Sequence, residues 1–262
     1  MQLFATFWYV IKDGKKRRIS AAEANAETKE EKKEPVAAVV VKEELPSCLN
    51  EINSTDQLEL AKIMFKRLNP GRESLQKIFT RLIQEKCKDV VYGTVKDAEK
   101  DWDLSNEMVI ATGKAGILRE AVWRRKPEQG KWVIKSTPLT TTRDAQEAEL
   151  AIGVLMGQAG IGPRLVDAGP HFFIMERLPG KTVERYIQEG KYDRALDRAI
   201  QTAIQKMHSF NVYHRDIHPE NLMMLPDQQV KIIDFASAQL LDEPISEGEK
   251  YRDTHYVGRP KL

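Results

Sequence analysis

The strongest constraint on this chain is a polar stretch, His214-Arg215-Asp216-Ile217-His218-Pro219-Glu220-Asn221, which runs directly into the apolar Leu222-Met223-Met224. Thirteen residues after Asn221 stands Asp234, inside Val230-Lys231-Ile232-Ile233-Asp234-Phe235-Ala236. The pattern predicts two short strands about a turn at Pro226-Asp227, which brings Asn221 and Asp234 together at one end of a hairpin. A carboxylate beside an amide oxygen suits a hard, oxygen-seeking ion such as Mg2+, which takes few protein ligands and fills its shell with phosphate and water. Asp216 lies close enough in sequence to accept the proton of an attacking hydroxyl.

Composition narrows the remaining classes. The 262 residues carry 41 basic and 39 acidic side chains, a net charge of +2, and are 41% hydrophobic. That balance excludes the strongly basic footprint of a dedicated nucleic-acid binder and also an acidic disordered chain. No run approaches the roughly 20 apolar residues of a membrane span, and the apolar start from Leu3 to Ile11 lacks the basic region of a secretory signal. Cys48 and Cys87 form neither a disulfide framework nor a metal motif, so a reducing setting is expected: the cytoplasm, with the nucleus, or the host cytoplasm for a viral or secreted effector, as alternatives. The charge balance and the lack of an apolar span predict no nucleic-acid and no membrane partner.

The first 105 residues read as separate pieces without a catalytic constellation. Phe7 to Lys12 and Lys15 to Ile19 flank Asp13-Gly14, a hairpin signal. The Lys15–Arg18 cluster reads as a solvated return strand or, alternatively, as a nuclear-import or phosphate-binding patch. Ser20 to Pro46 is a mixed-charge linker or frayed helix, with Val39-Val40-Val41 a candidate strand. Ser54-Thr55-Asp56 offers N-cap chemistry before Leu58, Leu60, Ala61, Met64, Phe65 and Leu68. Leu75, Ile78, Phe79, Leu82 and Ile83 mark a second amphipathic helix, so residues 54–86 are expected to form a helical hairpin that covers something. Asp89 to Val95 is a candidate strand.

His214, Arg215, Asp216 and Asn221 match the catalytic-loop pattern of the eukaryotic-type protein kinase superfamily, and Asp234 and Phe235 match its metal-binding motif, with Ala236 in place of glycine. The chain therefore resembles a minimal or atypical member of that superfamily, similar to bacterial effector, viral or KEOPS-type small kinases. The resemblance covers about residues 106 to 240. It implies an α+β, protein-kinase-like bilobal fold with a truncated C-terminal lobe, preceded by the strand, linker and helical-hairpin region at 1–105. The N-lobe is expected at 106–175 and the C-lobe at 176–262.

The same resemblance distributes roles. Ala111 to Leu118 stands for the glycine-rich loop, with Gly113, Lys114, Gly116 and Leu118 against ATP. Val133 and Lys135 lie on the strand whose lysine holds the phosphates. Glu147 is the expected helix partner of Lys135, because Leu150, Ala151 and Val154 follow it as a stripe; Glu149 is the alternative. Met175 stands at the gatekeeper position, and the backbones of Glu176 and Leu178 are implied to bind the base. Asn221 and Asp234 are the Mg2+ ligands and Asp216 the proton acceptor. Arg215 implies an anionic partner, such as phosphorylated Thr254 or Tyr256, or else a structural role. His218 occupies the place of a phosphate-contacting lysine and either donates one hydrogen bond there or fills space.

The resemblance thus implies an ATP- and Mg2+-dependent kinase acting on a protein serine or threonine. Aminoglycoside- or choline-type small-molecule kinases are the alternative enzyme class, although those relatives usually carry glycine where this chain has Arg215. Ala111 and Ala236 motivate a further alternative, a pseudokinase binding module. Because only 28 residues follow Asp234, a protein partner completing the C-lobe is a further expectation, beside the helical hairpin packing on the kinase fold as support.

Overall fold

Aromatic and β-branched runs between Trp102 and Glu176 build the largest sheet of the computed structural model, which describes residues 8–12, 15–19, 49, 52–67, 73–87, 95–104, 109–113, 116–125 and 132–260. The chain divides by contact into two units, residues 1–45 and 46–262. In the first, β1 (Trp8–Lys12) pairs antiparallel with β2 (Lys15–Ile19), Lys12 opposite Lys15, which is the hairpin expected around Asp13-Gly14. The Asp13-Gly14 turn itself, Val39 to Val41, Cys48, Leu68, Asp89 to Thr94 and Lys114 lie outside the described residues.

The second unit is mixed helix and sheet, as the sequence predicts. It opens with α1 (Ser54–Arg67) and α2 (Leu75–Cys87), then the short α3 (Val95–Ala98), so Val95 begins a helical turn rather than ending a strand. The sheet contains β3 (Trp102–Asp103), β4 (Val109–Gly113), β5 (Gly116–Trp123), β6 (Trp132–Ser136), β7 (Leu165–Gly169) and β8 (Phe172–Glu176). Its strand order is β3-β5-β6-β8-β7 with β4 added along β5, and every pairing is antiparallel. Between β6 and β7 runs α4 (Arg143–Gln158), whose first turn is capped by the Thr142 hydroxyl.

After β8 come β9 (Lys181–Thr182), α5 (Val183–Gln188) and α6 (Arg194–His208), the last capped by Asp193. Then follow β10 (Val212–Tyr213), β11 (Leu222–Met224), β12 (Val230–Ile232), β13 (Gln239–Leu240) and α7 (Glu247–Thr254). β11 and β12 form the expected hairpin around Pro226-Asp227, with β9 on the far side of β11, and β10 pairs with β13. Among the described residues no helix is long and apolar enough to cross a membrane.

One apolar cluster joins the helical hairpin to the rest of this unit. Leu75, Ile78, Phe79 and Ile83 of α2 are buried with Leu150 to Met156 of α4 and with Ile200, Ile204 and Met207 of α6. The spacing of the α2 stripe is sufficient reason, because positions three and four apart share one helix face. The start of α1 differs from expectation. Asn53, not Ser54, caps it: the Asp56 N–H donates to Asn53 Oδ1 at 3.3 Å. Ser54 is fully buried, and its hydroxyl donates instead to Gln158 Oε1 at 2.7 Å.

At the outer end of the sheet, Trp102 packs edge-on to Trp132 with ring centres 5.9 Å apart. Its indole N–H donates to Asp167 Oδ2 at 2.7 Å. Burial pushes the Asp167 carboxyl up to about 7, against the pull of the indole hydrogen bond. The folded chain therefore holds this proton more tightly than the unfolded one, and stability falls as pH rises from about 4 through 7. Asp167→Asn keeps an acceptor for Trp102 without the charge. Thermal unfolding from pH 5 to 8.5 is expected to show the variant gaining on the parent as pH rises, and parallel curves would refute the assignment.

Candidate active site

Lys135 sits in β6 between two strands, and direct cross-strand pairs share a face of a sheet. Leu118 and Phe173 lie opposite Lys135, and Glu120 and Met175 lie opposite Val133. One face of the sheet thus presents Leu118, Glu120, Val133, Lys135, Phe173 and Met175, with Glu120 paired to Arg177 at 2.7 Å. An ammonium group on this face needs anionic company, and it has two carboxylates. Lys135 Nζ is 2.7 Å from Glu149 Oε1 and 2.7 Å from Asp234 Oδ1, with side-chain exposures of 12%, 10% and 29% for the three residues.

Burial alone would lower the Lys135 ammonium, but the two carboxylates outweigh it and hold it above the usual lysine range. Burial also pushes the Glu149 carboxyl up, which Lys135 offsets only in part while Asp234 adds to it. The causes differ: the two carboxylates raise the lysine against its burial, whereas burial raises Glu149 against the pull of the lysine, and the cluster sets two carboxylates against one ammonium.

Glu147, the expected partner of Lys135, is not in this cluster. It pairs instead with Arg143 one turn earlier, at 2.6 Å on the outer side of α4. The stripe argument that favoured it requires a helix buried on one side. Here every residue from Glu149 to Met156 is buried, because α2 also covers α4, so the helix has no single inward face to count from.

The polar stretch after β10 is held from beneath. His214 is fully buried, its Nε2 lies 3.1 Å from the Ile233 carbonyl, and its ring packs edge-on to Phe235 at 5.2 Å. Burial depresses the imidazole below its ordinary value, so it is neutral with Nε2–H donating. The His214 N–H donates to Asp253 Oδ2 at 3.2 Å, an oxygen that also lies 2.8 Å from His208 Nε2. Asp253 and His208 escaped the sequence reading. The Ser246…Glu249 capping box announces α7, but nothing local tells that its Asp253 points inward.

From His214 the backbone passes through Arg215 at φ 69, a left-handed conformation that is strained for a side-chain-bearing residue. The Asn221 amide Nδ2 donates to the Asp216 carbonyl at 3.0 Å, and the Ile233 N–H donates to the Asn221 carbonyl at 2.9 Å. Those bonds bring Asp216, Asn221 and Asp234 to one place. Asp234 is also left-handed, φ 61, and leads into a short turn in which Ala236 keeps a negative φ, so the alanine costs nothing there. The Asp216 carboxylate is 57% exposed, with His218 Nε2 3.9 Å away.

Arg215 is exposed and its guanidinium has no partner among the described residues. Thr254 and Tyr256, its expected anionic partners once phosphorylated, are placed differently. The Thr254 hydroxyl donates to the Lys250 carbonyl inside α7, and Tyr256 is buried with its hydroxyl 3.3 Å from that of Tyr192.

On the expected nucleotide side, Gly113 and Gly116 face each other across β4 and β5. Gly116 has φ +135, and a Cβ there would stand 2.0 Å from the Ser136 carbonyl oxygen, so the residue before Thr137 leaves room only for glycine. Met175 is half-buried on the same face as Lys135. The Glu176 N–H donates to the Arg164 carbonyl at 2.9 Å, which leaves its carbonyl as the group that could face a base; Leu178 follows, half-buried. The donor set suits a hard cation: Asp234 has one oxygen on Lys135 and a second remaining. Asn221 uses its amide nitrogen internally, which leaves its oxygen without a partner among the described residues.

Comparison with known proteins agrees with this geometry. A family model described as protein kinase domain matches residues 166–260. A probable serine/threonine-protein kinase of Clostridium acetobutylicum is 32% identical over 82 residues, 29% of this chain and 12% of the relative. A serine/threonine-protein kinase of Schizosaccharomyces pombe is 39% identical over 100 residues, 36% of this chain and 17% of the relative. Sperm motility kinase 3A of Mus musculus is 36% identical over 69 residues, 24% and 14% respectively. The matched part therefore spans less than a fifth of the length of these relatives. The second half of the chain is thus similar to a protein kinase domain, and the mixed helix-and-sheet structure fits a kinase-like α+β fold.

Removing Glu149 opens a buried ion pair, whereas removing Glu147 opens an exposed one. Glu149→Ala is expected to destabilise by up to about 3 kcal/mol, the low end for a broken buried pair because Asp234 still faces Lys135. Glu147→Ala should cost about 0.5 kcal/mol or less. Urea unfolding of both variants checks the order, and the reverse ranking would contradict the pairing.

Proposed function

We propose that this chain is an ATP- and Mg2+-dependent protein kinase that transfers the γ-phosphoryl group to serine or threonine hydroxyls. The observation that carries the reading is the convergence on Asp234: Lys135 bonds it, and the backbone just before it is bonded to His214 and Asn221. Bound ATP supplies the phosphoryl group, and Mg2+ supplies the positive charge that offsets the phosphates. Asn221 and Asp234 would hold the metal through their remaining oxygens. Lys135, kept charged by Glu149 and Asp234, would anchor phosphate oxygens. Leu118, Val133 and Met175 give the base an apolar surface beside the lysine.

Asp216 orients the attacking hydroxyl and takes its proton. Its exposure fits that task, since a substrate must reach it from outside, whereas the groups that hold the loop are buried. His218 stands beside Asp216 with a ring nitrogen to offer. Catalysis in such a site is mainly positioning and charge stabilisation, with little covalent chemistry for the protein to perform. Arg215 and the names of the serine/threonine kinases among the relatives support a protein substrate.

The test is transfer of labelled γ-phosphate to proteins of a whole-cell lysate, followed by phosphoamino-acid analysis. Asp216→Asn and Asp234→Asn should each reduce transfer at least about 100-fold, the scale of losing a positioned base or a charge-stabilising ligand, with the thermal midpoint little changed. Phosphoserine or phosphothreonine is the expected product. Phosphotyrosine would overturn the specificity, and transfer unaltered in both variants would overturn the site.

A further inference from the structure

The α1–α2 hairpin touches both elements that supply carboxylates to Lys135. On one side, α2 buries Leu75, Ile78, Phe79 and Ile83 against α4, the helix of Glu149. On the other, it is bonded to the segment that follows Asp234. The Leu75 N–H, in the first turn of α2, donates to Asp242 Oδ1 at 2.7 Å. The Leu240 N–H donates to Gln76 Oε1 at 3.0 Å. Leu240 belongs to β13, which pairs with β10, and β10 leads directly into His214. One short helix therefore spans the helix of Glu149, the segment after Asp234, and the strand before the polar loop.

The end of α4 is fastened by a second set of bonds. The Gln158 side chain accepts from the Ser54 N–H and hydroxyl at 3.0 and 2.7 Å, and donates to the carbonyls of Leu49 and Ile52 at 2.8 and 2.6 Å. An amide side chain has two donor hydrogens and two acceptor lone pairs, and all four are engaged here. From the opposite side, Lys206 and Lys231 donate to the carbonyls of Ala159 and Gly160, just beyond the helix, at 2.6 and 2.7 Å. A polar side chain that reaches across 104 to 109 residues to satisfy backbone groups fixes a tertiary distance, not a local turn.

We propose that Gln76, Asp242 and Gln158 are positioning residues: through them the hairpin holds α4 and the Asp234 segment at the separation at which one ammonium bridges Glu149 and Asp234. The hairpin is thus a built-in brace for the Lys135 contact. A fold in which α4 were free to swing outward would lose Glu149 first, because that residue reaches Lys135 from the moving part. This deepens the kinase reading, since the braced contact is the one that reading uses to anchor phosphate.

The test uses the full chain and reads Lys135 itself. Lys135 Nζ is bonded by two carboxylates and its side chain is only 12% exposed, so release of either carboxylate frees and uncovers it and speeds its acylation by a small amine-reactive ester at pH 8. The double variant Gln76→Ala with Asp242→Ala removes both bonds to the Asp234 segment. Gln76→Glu with Asp242→Asn retains an acceptor oxygen at each place. Peptide mass spectrometry should find Lys135 labelling raised about two- to thirtyfold in the alanine pair, the span expected for a coupling of this kind, and returned to the parent rate in the conservative pair. Gln158→Ala should raise it in the same way, and is the variant to read if the alanine pair does not fold.

Labelling at the parent rate in folded alanine variants would overturn the brace and leave the hairpin as cover for apolar surface. Equal acceleration in the conservative pair would also overturn it, because the retained acceptors would then have done nothing. A parent chain that transfers no phosphate would sink the kinase reading and leave the labelling result intact, so the two failures are distinguishable.

Discussion

A single ammonium group between two carboxylates, largely removed from water, sets the terms for this fold. Charges in such a place are stable only while their geometry holds, since an unpaired buried charge costs several kcal/mol. Lys135 comes from the sheet, Glu149 from α4 and Asp234 from the far side of the β11–β12 hairpin, so three independent parts of the chain must agree on one point. Much of the remaining structure serves that agreement. The sheet register fixes the lysine, the apolar cluster fixes α4, and hydrogen bonds running through Ile233 fix Asp234.

The excess negative charge left at this point also gives the arrangement a direction. Two carboxylates on one ammonium form an incomplete set, which a nearby cation would complete. Asp234 is the more exposed of the two acids and the one with an oxygen to spare. Glu149, more deeply buried, has the structural part of the task. The division follows from exposure: the outer carboxylate faces whatever enters, and the inner one faces only the lysine.

Legibility varied with the range of the interactions involved. The β11–β12 hairpin and the polar loop could be read because turn chemistry and strand periodicity are local, and the Asn221 carbonyl is bonded across that hairpin to Ile233, the residue before Asp234. The α2 stripe was readable for the same reason. Glu149 was legible only as the alternative to Glu147, since helix phase reveals an inward face only where a helix is buried on one side, and α4 is enclosed on several. Ser54 offered ordinary capping chemistry yet serves Gln158, more than a hundred residues away. Asp253 could not be seen at all: a charged residue in a polar helix looks solvated until another segment is laid against it. Local patterns disclose elements, and the polar contacts that fasten elements to each other lie outside their reach.

The bonds behind the polar loop run in series: Asp253 to the His214 N–H, the His214 ring to the Ile233 carbonyl, and the Ile233 N–H to the Asn221 carbonyl. Each member is the support for the next, and buried hydrogen bonds connected in this way respond together. Their contributions are therefore non-additive by construction. Substituting Asp253 and His214 together should cost little more than substituting one, so neither has a separate worth that a single substitution measures; Asn221 enters the row through its backbone carbonyl, which a side-chain change leaves in place. The row is one mechanical part made of several residues.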